Sequence, residues 1–188
     1  MLAWIIHRRL RAFERRFDYD LTYARDLLAT DRRAFFALAK MQSMDRYRHD
    51  VPPGPYWAAR ACATAAEDCG PCTQLCVTMG LADGANPTAL VAAVSGPAAA
   101  AGVDDDTELA LRFTRAVLAR TAEADPAREE VVARFGRRGL TSLAFAITSA
   151  RLYPTLKAAL GYGHACQRVV VDGRAIGVGA AAAAGARA

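Results

Sequence analysis

Apolar positions recur every three or four residues along nearly the whole chain, a spacing that predicts an all-α helical bundle. Leu2, Ile6, Leu10, Phe13 and Phe17 form one stripe, with Arg8, Arg9, Arg11, Arg15 and Arg16 mostly elsewhere around the wheel, so 1–17 reads as an amphipathic N-terminal helix. Further helices are expected from Leu21 to Ala29 and from Arg32 to about Arg46, before the prolines and glycine of HDVPPGPYW break the pattern. YWAARACATAA is again helical, EDCGPC interrupts it, and TQLCVTMGLA resumes the spacing until DGANP ends it. Asn86 caps a short helix with Pro87 at its first position. Asp104 to Asp106 then put negative charge at the start of a long helix carrying Leu109, Phe113, Ala116 and Val117.

Asp125 and Pro126 repeat the cap-then-proline start for a helix through Arg134, closed by Gly136 and Gly139. Leu140, Leu143, Ala144, Ile147 and Ala150 form the stripe of a last helix, expected to kink at Pro154 and to stop at LGYG. RVVVDGRAIGV suits a small hairpin turning at Asp172-Gly173, and the terminal GAAAAAGARA reads as frayed. The expected organisation is the N-terminal helix, a helical domain over 18–163 and a partly flexible C-terminal extension over 164–188.

Composition narrows the function classes. The 188 residues fit one domain, and although 53% are hydrophobic, no run approaches the ~20 apolar residues of a membrane span, so a soluble protein is expected. The opening MLAWIIHRRLRAFERRF places its arginines after a short apolar patch, the reverse of a secretory leader. With three of the five cysteines crowded between Cys69 and Cys76, a reducing, cytoplasmic setting is expected over a secreted disulfide framework. The net charge of +5 rests on arginine, Lys40 and Lys157 being the only lysines. Arg112, Arg115, Arg120, Arg134, Arg137 and Arg151 alternate with carboxylates and apolar positions, which reads as solvated helix faces and gives no nucleic-acid surface. The first helix, with Trp4 and its basic face, could lie on a membrane, but packing against the body or a partner subunit is the reading preferred.

The candidate chemistry lies in DCGPCTQLC. Cys-Gly-Pro-Cys is a redox tetrapeptide in thioredoxins, but the preceding ARACATAAED is no buried strand, so that fold is rejected. A helix opening at Asp68 or Cys69 would favour a thiolate in its first turn, whereas Glu67 and Asp68 would oppose one. Cys69 and Cys72, three apart, are within disulfide reach; Cys69 and Cys76, seven apart on a helix, are roughly 10 Å apart and are not. Cys76 lies one turn after Cys72, close enough to influence its proton. A zinc site would need a fourth ligand, for which His164 and Cys166 are the candidates, and no metal or other cofactor is expected. Three small side chains packed in a bundle are the structural alternative. On the preceding helix, Tyr56, Trp57 and Arg60 are candidates to line a small-molecule pocket, with Tyr56 and Arg60 facing the dithiol.

From about Phe17 to Gly163, with DCGPCTQL the most specific part, the chain resembles the AhpD-like superfamily, which includes the carboxymuconolactone decarboxylases. The resemblance implies a helical homo-oligomer that reduces a hydroperoxide, with a redox protein as a possible partner. It implies that Cys72 attacks the peroxide and that Cys69 resolves the sulfenic acid as a disulfide. The family's relay histidine falls on Cys76, hence a candidate catalytic position, and its glutamate falls on Trp57. The expected function is therefore a thiol-dependent oxidoreductase. A non-redox lyase or scaffold of the same fold is the alternative, since the relay is missing.

Overall fold

The computed structural model describes residues 2–97, 102–163 and 168–178. Eight helices and one hairpin make up the described chain: α1 (Leu2–Phe17), α2 (Thr22–Thr30), α3 (Arg32–Asp45), α4 (Pro53–Ala65), α5 (Gly70–Ala82), α6 (Pro87–Ser95), α7 (Asp105–Ala119), α8 (Ala124–Ala159), β1 (Arg168–Val171) and β2 (Arg174–Gly177). The fold is all-α. None of the helices is long and apolar enough to cross a membrane.

Helix α4 is the axis of the bundle and packs against α5, α6, α7 and α8. Every residue from Pro55 to Thr64 is buried, which a helix tolerates when its side chains are small enough for neighbours to approach on all sides. Ala58, Ala59, Ala61 and Ala63 meet that demand. Leu90, Leu111, Val77, Val131 and Leu143 close the main core around them. Pro53 opens α4 from within the proline-rich segment, so the helix starts earlier than the expected break at HDVPPGPYW; a proline in the first turn loses no intrahelical hydrogen bond.

Two of the expected caps form, at Asn86 and Asp104, and one does not: α8 begins at Ala124 behind Glu123, so Asp125 lies inside its first turn and caps nothing. Asn86 accepts from the Thr88 amide at 2.9 Å to start α6, and Asp104 accepts from the Thr107 amide at 2.8 Å to start α7. The hairpin forms as expected, with Val171 paired to Arg174 and both turn residues left-handed, Asp172 at φ 48° and Gly173 at φ 74°. Gln74 of α5 receives the Val170 amide at 2.7 Å and donates to the Val170 carbonyl at 3.0 Å, which fastens the outer edge of β1 to the bundle.

Helix α8 is two helical segments joined by a kink at Gly136 (φ 70°, ψ 178°), as the sequence leads one to expect on either side of that glycine. Pro154 sits inside the second half, where the helix continues to Ala159. His164, Cys166 and the alanine-rich C-terminus lie outside the described residues.

A second, smaller cluster lies beside the main core. Tyr19, Leu21, Tyr23 and Ala24 pack with Cys69 and Cys72, and Leu10, Phe13 and Phe17 of α1 with Phe35 and Leu38 of α3 close over them. The C-terminal part of the α1 stripe, Leu10, Phe13 and Phe17, is thus used within the chain, covering the start of α5.

No other residue adopts the Gly136 backbone cheaply, and open space surrounds its Cα, so a methyl there would strain the chain without colliding. Gly136→Ala is expected to lower stability by about 1–3 kcal/mol, read from the urea midpoint.

Candidate functional site: a buried dithiol

The chain enters α5 through Asp68, left-handed at φ 50°, and Cys69, extended at φ −108° and ψ 97° as the N-cap. Pro71 supplies the preset first-turn geometry, and the Cys69 carbonyl receives both the Thr73 amide and the Thr73 hydroxyl at 2.9 Å. One short turn therefore aims both cysteines to the same side. Their sulfurs lie 2.8 Å apart, against ~2.05 Å in a disulfide, so a short closing movement would join them. Both are free thiols and both are buried, at 3% and 4% exposure.

Cys72 has a second partner. The Tyr19 hydroxyl stands 3.5 Å from its sulfur, and Lys157 Nζ donates to that hydroxyl at 3.4 Å. Lys157 comes from the last turn of α8, is 4% exposed, and holds its ammonium 5.0 Å from the Tyr19 ring centre and 5.5 Å from that of Tyr23. The left-handed turn at Asp18 (φ 48°) delivers Tyr19 inward, and Glu14 fixes that turn by accepting from the Leu21 amide at 2.9 Å and from Arg25.

Opposing effects set the charge state. The neighbouring Cys69 and then burial push the Cys72 thiol well above its ordinary value, while the Tyr19 hydrogen bond and the Lys157 charge pull it down. Burial first, and then nearby Cys72, raise Tyr19, so its phenol stays protonated and able to donate.

The other candidates gather elsewhere. Cys76 belongs to the main core, where its sulfur lies 3.3 Å from the Thr64 hydroxyl. Arg60 does not face the dithiol: it pairs with Asp45 at 2.9 Å, donates to Ser149 at 2.9 Å and interacts electrostatically with Cys76. Burial acts to lower the Arg60 guanidinium, but Cys76, Asp45 and Tyr56 around it raise it, and it stays charged. Tyr56 also turns away from the dithiol, donating to the Asp45 carbonyl at 2.7 Å. Tyr56 and Trp57 do line a pocket of about 420 Å³, together with Arg16, Arg46, Arg48 and Met79, and Trp57 donates to Asp83 at 2.7 Å across its wall. Arg60 and the two sulfurs are not among its lining residues. Glu67, at the wrong offset for a relay, is held by Arg151. Among the described residues, no group of three His, Cys, Asp or Glu is placed to hold a metal ion.

Tyr19, Tyr23 and Lys157 escape a motif reading of the sequence. Lys157 did carry a signal: Leu143, Ile147, Ala150 and Pro154 are buried at helical spacing, and the next step of that stripe lands on a lysine in a chain that otherwise uses arginine. Tyr19 lies in a turn, where periodicity says nothing about which way a side chain faces.

Asp45→Ala would leave the Arg60 charge buried and unpaired and would release Tyr153, which donates to Asp45 at 2.6 Å. The expected loss is about 3–5 kcal/mol in urea unfolding, with a smaller loss for Asp45→Asn.

Comparison with known family models, with curated proteins and with solved structures finds no match to this chain.

Proposed function

We propose that the chain is a thiol-dependent oxidoreductase whose Cys69 and Cys72 cycle between dithiol and disulfide. The observation that carries this reading is the 2.8 Å separation of two free sulfurs in the first turn of α5. Two buried cysteines retained only for packing need not face each other. Here the Asp68 turn, Pro71 and the doubly bonded Cys69 carbonyl all hold them in that relation.

The chemistry balances as follows. The Cys72 thiolate attacks the terminal oxygen of a hydroperoxide, the O–O bond breaks, and the departing alkoxide takes a proton to leave as an alcohol. Cys69 then attacks the Cys72 sulfenic acid, forming the disulfide and releasing water with the Cys69 proton. Two thiols of a small reductant restore the dithiol by exchange and leave as their own disulfide. Burial of both sulfurs favours small molecules in both half-reactions over docking of a redox protein.

Cys72 is assigned as the attacking thiol because the Tyr19 hydroxyl reaches its sulfur and the Lys157 charge favours its thiolate. This agrees with the role implied by the AhpD-like resemblance. The same burial favours one rival, a non-redox scaffold in which the cysteines only pack, and thiol counting separates the two.

Hydrogen peroxide is expected to remove two titratable thiols from the wild type, with recovery by dithiothreitol. Cys69→Ser and Cys72→Ser should each abolish that paired loss, and an unchanged thiol count in the wild type would reject the proposal. Because the Cys72 proton is held tightly, thiolate is scarce at neutral pH. The oxidation rate should rise about tenfold per pH unit from neutrality through the ordinary thiol range, as followed by stopped-flow thiol loss.

A further inference from the structure

Lys157 poses a physical problem that the dithiol alone does not explain. An ammonium that is 96% buried is costly unless an anion or several acceptors meet it, and among the described residues it forms no ion pair. Its surroundings are the hydroxyl and ring of Tyr19 from the α1–α2 turn, the ring of Tyr23 from α2, and the more distant field of Asp20, an exposed carboxylate that pairs with Arg25 at 3.5 Å. On the far side of Tyr19 stands Cys72, flanked by Cys69.

Hydrogen-bond polarity orders the chain. A lysine ammonium can only donate, so the Tyr19 oxygen accepts from it, and the single phenol proton is left to donate onward. Cys72 Sγ is in place to receive it; the Tyr23 hydroxyl, which also interacts with Tyr19, is the competing partner. A thiolate at Cys72 is thus the anion that completes the set: ammonium, neutral phenol, thiolate.

We propose that Tyr19 and Lys157 manage the proton of Cys72, Tyr19 touching the sulfur and Lys157 acting through Tyr19 as its positioning charge and proton reservoir. The assignment rests on the oxidoreductase reading above. Lys157 is left as the amine when it resupplies the proton that Tyr19 gives to the departing alkoxide; to form the thiolate again, the Cys72 proton passes to the Tyr19 oxygen while the Tyr19 proton passes to that amine, which becomes the ammonium. The net charge of the trio is unchanged, and the products are thiolate and ammonium. When the O–O bond breaks, the same path runs in reverse, and the alkoxide collects a proton from Tyr19 as Lys157 resupplies it. No solvent has to enter the closed cluster for either transfer.

The test is the ultraviolet thiolate absorbance of the reduced full chain against pH, with Cys72→Ser as the background to be subtracted. Tyr19→Phe and Lys157→Met should each move the Cys72 midpoint upward by about one pH unit or more, a tenfold loss of thiolate at any pH below it. Lys157→Arg, which keeps the charge, should recover most of the midpoint but not the peroxide rate, because guanidinium does not give up a proton in this range. Tyr19→Phe removes only a hydroxyl and covers the case in which Lys157→Met fails to fold, as judged by its melting curve. A midpoint that stays put in Tyr19→Phe and in folded Lys157→Met overturns the assignment. If the midpoint moves as expected while wild-type thiols survive peroxide, the proton pair stands and the oxidoreductase reading falls.

Discussion

The structure depends on a helix that is buried from every side. Because α5, α6, α7 and α8 all press on α4, most of its residues are small, the large Tyr56 and Trp57 being confined to its first half, and its one charge, Arg60, must be answered from within. The answer is Asp45, the last residue of α3, reinforced by Tyr153 and Ser149 of α8. A buried ion pair adds little net stability against an apolar replacement, but it is severe about position, since either partner alone is costly. It therefore ties the end of α3 to the axis and to α8. With α3 fixed, α1 and α2 lie over the mouth of α5.

That arrangement divides the bundle into two chemical regions. The main core holds Cys76 beside Thr64 and near Arg60, where the guanidinium is already neutralised by Asp45. The smaller cluster holds Cys69 and Cys72 under tyrosines, with a lysine that has no carboxylate in contact among the described residues. The difference is one of unspent charge. Arg60 has a carboxylate partner in Asp45 besides the nearby Cys76, whereas the Lys157 charge acts on Cys72 with only Tyr19 between them. Burial, which raises the cost of a thiolate, also sharpens the effect of the one cation near it, because little water intervenes to screen it.

The 420 Å³ pocket by Tyr56 and Trp57 lies on the Arg60 side of this division, with Asp45 in its wall and neither Cys69 nor Cys72 lining it. A molecule bound there would touch neither sulfur of the dithiol. The contact of Tyr19 with Cys72 makes the buried cluster the more economical location for thiol chemistry.

The all-α class, the capped starts of α6 and α7, the Asp172-Gly173 hairpin and the interruption between α4 and α5 were all legible in the sequence, because each depends on residues close together in the chain. The pairing of Cys69 with Cys72 was legible for the same reason: three residues at a helix start have few ways to stand. What surrounds the pair was not. Tyr56 and Arg60 were expected to face it and instead serve Asp45, while Tyr19 and Lys157, 138 residues apart, meet at Cys72. Local spacing sets which side of a helix a residue occupies, but which helix lies against that side follows from how the buried charges and small residues of α4 let the bundle close, and only the tertiary structure decides that.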